Sequence, residues 1–147
     1  MATLRLSDLL EGVPGVRVQG NARTPIKEVR DDSRLVGPGD LFVAVAGTKE
    51  DGRRFIEAAV EKGAAAVLAE GEPPPGIATF VAADSVRRAL GKIAANRYGA
   101  AKDLTLTAVT GTSGKTTMTY LMESILAAAG RRPGVVGTVT YRYPGKA

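Results

Sequence analysis

The side chains best placed for chemistry lie in one run, Gly111-Thr112-Ser113-Gly114-Lys115-Thr116-Thr117. Its two glycines tolerate backbone angles that a Cβ resists, and they let main-chain N–H groups approach a ligand closely. Lys115 adds a mobile cation for terminal phosphates, and the Thr116 hydroxyl is of the type that ligates magnesium beside them. The run is therefore a candidate cradle for nucleotide phosphates. A standard Walker A loop carries a further glycine five residues before Gly114, where this chain has Val109. The loop is a shorter variant, and its neighbours have to support it.

They do. Leu104-Thr105-Leu106-Thr107 is rich in β-branched residues and predicts a strand that enters the loop through Ala108-Val109-Thr110. After the loop, Met118, Leu121, Met122, Ile125 and Leu126 recur at helical spacing up to a stop at Gly130. The methionines read as core fillers. A helix that begins at the loop aims its unsatisfied N–H groups and positive dipole end at the anion. A glycine turn with a solvated lysine is the plainer alternative, but it leaves the agreement of strand, glycines, lysine, hydroxyls and helix unexplained. A further strand over Val135-Val136-Gly137-Thr138-Val139 would complete a strand-helix-strand unit.

A second polar cluster, Asp31-Asp32-Ser33-Arg34, precedes Leu35-Val36-Gly37-Pro38-Gly39-Asp40 and the apolar run Leu41 to Val45. Ser33 can hydrogen-bond a diphosphate or a sugar, and Arg34 offers a planar fork for phosphate or carboxylate. Spacing alone favours a simpler reading, a turn in which Asp32 caps and Arg34 pairs locally. A third polar run, Ala46-Gly47-Thr48-Lys49-Glu50-Asp51-Gly52, follows that apolar run, and Asp51 is a candidate N-cap for the helix after it.

The chain has 147 residues, 44% hydrophobic and 24% charged, the balance of a folded globular protein rather than a disordered one. Cysteine and histidine are both absent, which excludes disulfides, thiol nucleophiles, the usual zinc sites and histidine-based triads within these residues. Chemistry here has to use carboxylates, hydroxyls, lysine, arginine and a ligand-borne metal. The formal charge is +5, but the arginine pairs 53–54, 87–88 and 131–132 are scattered and carry no interleaved aromatics. They read as solvated faces, and no nucleic-acid partner is expected. The amino terminus lacks a signal pattern and no apolar stretch is long enough to span a bilayer, so no membrane role and a cytoplasmic location are expected.

Along the chain, Leu4, Leu6, Leu9 and Leu10 predict a short amphipathic helix closed by Gly12 and Pro14. Val16 to Val18 and Ile26 to Arg30 predict strands. Leu41 to Val45, a helix bearing Phe55, Ile56, Ala59 and Val60, and Ala65 to Ala69 form a strand-helix-strand unit with a parallel pair. Gly71-Glu72-Pro73-Pro74-Pro75-Gly76 is a stiff connector. Thr79 to Val81 is a strand, and Asp84 or Ser85 should cap a helix carrying Val86, Leu90, Ile93 and Ala94 that ends at Arg97-Tyr98-Gly99. The fold class is α/β. A hinge at Ala100-Ala101-Lys102-Asp103 divides residues 1–102 from 103–147. The second part is close to the size below which chains rarely fold unaided and leaves open sheet edges. It is expected to be the truncated start of a phosphate-loop domain, and the chain a fragment.

Taken together, Asp32-Ser33-Arg34 with Pro38-Gly39-Asp40-Leu41-Phe42, Asp51-Gly52-Arg53-Arg54-Phe55, Gly63-Ala64-Ala65-Ala66-Val67-Leu68, Thr110 through Thr117, and Gly137-Thr138-Val139 resemble the amino-terminal part of a Mur ligase. Within that family the likeness is greatest to the UDP-MurNAc-tripeptide synthetase branch, and the Gly-Thr-Val-Thr-Tyr run after Val136 favours it over the MurF-type branch. A non-catalytic UDP-sugar or nucleotide-binding module is the alternative of another class.

The resemblance implies that residues 1–102 bind the UDP part of the precursor, with Asp31, Ser33, Thr48, Lys49 and Glu50 at the uridine nucleotide, and that 103–147 begin the ATP-binding central domain. It moves Ser33 from a simple turn to a ligand contact. It also implies that Gly111, Thr112, Ser113, Gly114, Lys115, Thr116 and Thr117 bind ATP, with Thr116 on Mg2+ and Lys115 the catalytic cation. Ser113 stands where the family commonly has asparagine. The implied reaction adds a diamino acid, meso-diaminopimelate or L-lysine, to UDP-MurNAc-L-Ala-D-Glu through an acyl phosphate in peptidoglycan precursor synthesis. A monomer is expected. The family's peptide-binding Thr-Thr-Pro segment, its magnesium-binding carboxylate and modified lysine, and its carboxy-terminal domain lie outside the motifs found here, so ligation by these residues alone is not expected.

Overall fold

The computed structural model describes residues 3–47, 51–99, 104–138 and 141–143. The chain divides into two compact units, Met1–Lys102 and Asp103–Ala147.

In the first unit the order is β1 (Leu4–Arg5), α1 (Leu6–Leu9), β2 (Val16–Gln19), β3 (Pro25–Ile26), β4 (Val29–Arg30), β5 (Leu41–Val43), a 3-10 turn (Gly52–Phe55) running into α2 (Ile56–Glu61), β6 (Ala66–Ala69), β7 (Phe80–Ala83) and α3 (Val86–Tyr98). The main sheet has the order β2-β7-β6-β5-β4, with β4 through β7 parallel and β2 an antiparallel edge. Every residue of β5, β6 and β7 is buried, as a parallel sheet covered on both faces requires. Successive side chains point to opposite faces. Leu41, Val43, Ala66, Leu68, Val81 and Ala83 therefore join α1 and α3 in one core, and Phe42, Val67, Ala69, Phe80 and Ala82 join Ile56 and Ala59 of α2 in the other.

Three local expectations change. The run Ile26 to Arg30 is not one strand: β3 pairs with β1 in a separate two-stranded sheet, and β4 pairs with β5. Between them Lys27 N–H donates to the Gly39 carbonyl at 2.9 Å and Glu28 C=O accepts from Leu41 N–H at 2.8 Å, which turns the chain from one sheet to the other. Leu4 belongs to β1, so the first helix begins only at Leu6. Helix α3 starts after Ser85, but no side-chain cap comes from that residue. Glu70 takes the role from a distant loop, its Oε1 accepting from Val86 N–H at 3.1 Å. The far end of α3 is also tied down: Asn96 donates to the Leu9 and Glu11 carbonyls at 2.9 and 2.8 Å, and Arg97 pairs with Glu28 at 3.1 Å.

The second unit contains α4 (Lys115–Ala128) and the antiparallel pair β8 (Val135–Val136) and β9 (Tyr141–Arg142). Leu104 to Thr107 forms no strand. Leu104 and Leu106 are exposed, and no described segment pairs with them. β-Propensity expresses a fit to a half-buried pleated surface, and without a neighbouring edge there is no such surface. The strand after α4 is likewise shorter than expected and joins an antiparallel pair rather than a parallel unit. No residue of α4 is buried, so Met118 and Met122 fill no core here.

Candidate functional site

In the second unit, Gly111, Thr112 and Ser113 form a bend, Gly114 is the N-cap of α4, and Lys115, Thr116 and Thr117 make the first turn. Gly114 sits at φ 76°, ψ −3°, the left-handed region that an L side chain resists, and Gly111 at φ 151°. No side chain caps α4 and no acidic residue occupies its first turn. Its leading N–H groups therefore face outward with the positive dipole end, as an anion site requires. The Lys115 ammonium folds back to donate to the Gly111 carbonyl. All of 111–117 is exposed.

Beside this loop lies a cavity of about 310 Å³ whose lining includes Lys115, Thr116, Thr119, Thr138, Tyr141 and Arg142. Thr119 Oγ1 donates to the Thr116 carbonyl at 2.7 Å, which leaves the Thr116 hydroxyl out of that bond. Arg142 Nε donates to Glu123 Oε2 at 2.8 Å, and its guanidinium carbon is 3.8 Å from the Tyr120 ring centroid. The Glu123 hydrogen bond raises the Arg142 pKa above its ordinary value. Sequence reasoning missed this group. Tyr120 and Glu123 are three apart on one helix and so share a face, which is a readable signal. Their meeting with Arg142 depends on the path after β8 and is not.

Backbone donors, an ammonium and hydroxyls lie together in this run, the groups that bind the phosphates of a nucleotide. Among the described residues no group of three or more carboxylates is placed to hold a metal.

The first unit carries the other predicted residues. β4 and β5 are parallel neighbours, so the segment from Asp31 and the run from Ala44 both leave at the carboxyl ends of adjacent strands, where open α/β sheets commonly bind ligands. Asp32 and Arg34 form the local pair that spacing favoured. Oδ1 of Asp32 accepts from the Arg34 N–H and Nε, each at 2.9 Å, and Oδ2 accepts from Arg34 Nη2 at 2.6 Å. The side-chain bonds from Arg34, then its backbone N–H, hold the Asp32 pKa down at about 2. Lys62 donates to the Ser33 carbonyl at 2.8 Å, while the Ser33 hydroxyl has no partner among the described residues and stays half-buried. Asp31 is exposed.

Thr48, Lys49 and Glu50 lie outside the described residues. The base of their loop is well defined. Ala46 bridges Asp51, Gly52 N–H donates to the Val45 carbonyl at 3.1 Å, and Arg87 donates to the Ala46 carbonyl at 3.0 Å. Asp51 caps the 3-10 turn as expected, Oδ1 accepting from Arg53 N–H at 2.9 Å. Arg53 in turn donates to the carbonyls of Glu70 and Glu72 at 2.7 and 2.9 Å, tying the 3-10 turn to the loop after β6.

The chain is similar to known proteins over most of its length. A UDP-N-acetylmuramoyl-L-alanyl-D-glutamate–2,6-diaminopimelate ligase of Chlorobium phaeobacteroides is 43% identical over 141 residues, 92% of this chain and 28% of that protein. The chain thus spans little more than a quarter of that relative's length. Among solved structures, a ligase of the same description matches with TM-score 0.76 at 28% identity, covering 99% of this chain and 30% of that one. The MurF ligase of Thermotoga maritima in complex with ADP matches with TM-score 0.54 at 32% identity, over 72% of this chain and 24% of that one. The family model described as Mur ligase family, catalytic domain, matches residues 25–98, half of the chain and wholly within the first unit. The chain belongs to the Mur ligase family.

Proposed function

We propose that this chain supplies the UDP-precursor-binding unit, residues 1–102, and the ATP phosphate loop, within 103–147, of a ligase that joins a diamino acid to UDP-MurNAc-L-Ala-D-Glu. The observation that carries the reading is the 43% identity to a diaminopimelate ligase over 92% of this chain, which holds the run Gly111 through Thr117. That relative's substrate favours diaminopimelate over L-lysine. A cytoplasmic monomer is part of the same reading, and among the described residues no helix is long and apolar enough to cross a membrane.

In this reaction the substrate carboxylate attacks the terminal phosphorus of ATP and ADP leaves. The amine then attacks the acyl carbon, and phosphate and a proton depart as the amide forms. A carboxylate is a poor acyl donor, and phosphorylation provides the leaving group. Of this chain's residues, Lys115 and the N–H groups of Gly111 through Thr117 would hold the phosphates and offset charge on the transferring phosphoryl. Thr116 would hold Mg2+, which supplies further charge neutralisation when bound. Asp31, Ser33, Thr48, Lys49 and Glu50 would hold the uridine nucleotide.

Isothermal titration of the 147-residue chain tests both halves. Ser33→Ala should weaken the UDP-linked precursor about tenfold, the loss of one hydrogen bond to a charged or polar ligand. Lys115→Ala should remove ATP binding and leave precursor binding intact. Unchanged precursor affinity in Ser33→Ala refutes the uridine assignment, and unchanged ATP affinity in Lys115→Ala refutes the phosphate-loop role.

A further inference from the structure

The cavity beside the phosphate loop carries more positive charge than the loop supplies. Lys115 and Arg142 both line it, Thr116, Thr119 and Thr138 bring hydroxyls, and no described lining residue is acidic. Glu123, the counter-ion of Arg142, is not part of that lining. With Lys115 and the ion-paired Arg142 beside three threonine hydroxyls, the polar side of this cavity suits an anion of more than one charge.

The guanidinium is held in place rather than left mobile. One face lies against the Tyr120 ring at 3.8 Å, and Nε and Nη2 approach Glu123 Oε2 at 2.8 and 2.7 Å. Both nitrogens converge on one carboxylate oxygen, so the pair is not the two-oxygen clasp that occupies the whole fork. An arginine has five N–H donors, and the remaining ones can take a second acceptor. The stack and the ion pair fix where those donors sit, which reduces the ordering cost when an anion arrives.

We propose that Arg142 is a second phosphate-binding residue of this cavity, taking the terminal phosphate of a nucleoside triphosphate together with Lys115, with Tyr120 and Glu123 as its positioning residues. This rests on the reading of residues 111–117 as a nucleotide phosphate loop. Its consequence is selective: Arg142 should matter for the triphosphate far more than for the diphosphate.

The test is titration of the 147-residue chain with ATP and with ADP in magnesium buffer at fixed ionic strength. Arg142→Met should weaken ATP about tenfold and ADP about threefold or less, as expected for one charge-assisted hydrogen bond lost at the terminal phosphate. Arg142→Lys should fall between, because a point charge remains without the fork. Glu123→Ala removes the carboxylate that holds the guanidinium and should reduce the preference for ATP by a smaller factor than Arg142→Met does. If Arg142→Met weakens both nucleotides equally, Arg142 only fastens β9 to α4 and the proposal is overturned. ATP binding that Lys115→Ala abolishes but Arg142→Met leaves untouched overturns it while the phosphate-loop reading stands. If the unaltered chain binds neither nucleotide, both fall.

Discussion

Glu70→Ala should destabilise the first unit although Glu70 is exposed and lies outside the helix it serves. Glu70 Oε1 accepts from Val86 N–H at 3.1 Å and so satisfies one of the four orphan donors at the start of α3. Loss of an N-cap acceptor costs about 1 kcal/mol, and loss of a carboxylate from the positive end of a helix adds a few tenths more. For a unit of about 100 residues that corresponds to a fall in Tm of about 5 °C. Ser85→Ala should change stability by about 0.5 kcal/mol or less, since the Ser85 side chain makes no cap bond. Glu70→Gln should lie between, keeping an acceptor oxygen and losing the charge. The Arg53 bond to Glu70 uses the backbone carbonyl and survives in each variant, so it does not confuse the comparison. Thermal unfolding followed by circular dichroism, with hydrogen exchange at Val86 N–H, reads the effect. A Ser85→Ala loss equal to or larger than the Glu70→Ala loss would refute the assignment of the cap.

Phe42 is 1% exposed in the core beneath α2, and Phe42→Ala should cost about 3 to 5 kcal/mol in chemical denaturation, enough to unfold a marginal domain; a loss below about 1 kcal/mol would contradict the packing. The Asp32 carboxyl should titrate near pH 2 by carbon-detected NMR and return toward 3.8 in Arg34→Ala, and an unshifted midpoint in the unaltered chain would contradict the pair. Because the folded value is the lower one, the stabilisation from this pair is complete above pH 3.8 and is lost as pH falls through about 2.

The α/β core was legible because β5, β6 and β7 are short apolar runs bounded by glycine, proline and polar residues, the pattern of strands buried on both faces. The phosphate loop was legible because its glycines, lysine and hydroxyls are contiguous. Long-range choices were not. Ile26 to Arg30 has strand propensity throughout, but its division between two sheets is decided by Gly39 and Leu41, more than ten residues later. Asp84 and Ser85 are good capping types next to α3, yet Glu70 fills the role because the β6 loop passes over the helix start. The Arg142, Tyr120 and Glu123 cluster joins a helix face to a strand beyond the next turn, and neither segment announces the other.

The two units hold their candidate sites by different physics. In the first, loops rise from a sheet whose central strands are fully buried, so the Asp32 to Arg34 turn and the base of the 46–51 loop inherit a rigid frame and are refined by local hydrogen bonds. In the second, α4 has no buried residue, and among the described residues an ion pair and a stacked ring link Arg142 of β9 to it. Exposed interactions of this kind contribute little stability singly. A ligand that binds only the ordered loop adds about 2.7 kcal/mol at a hundredfold excess over its Kd. On the proposed reading, a nucleotide held by residues 111–117 would therefore also stabilise α4, which begins at that loop.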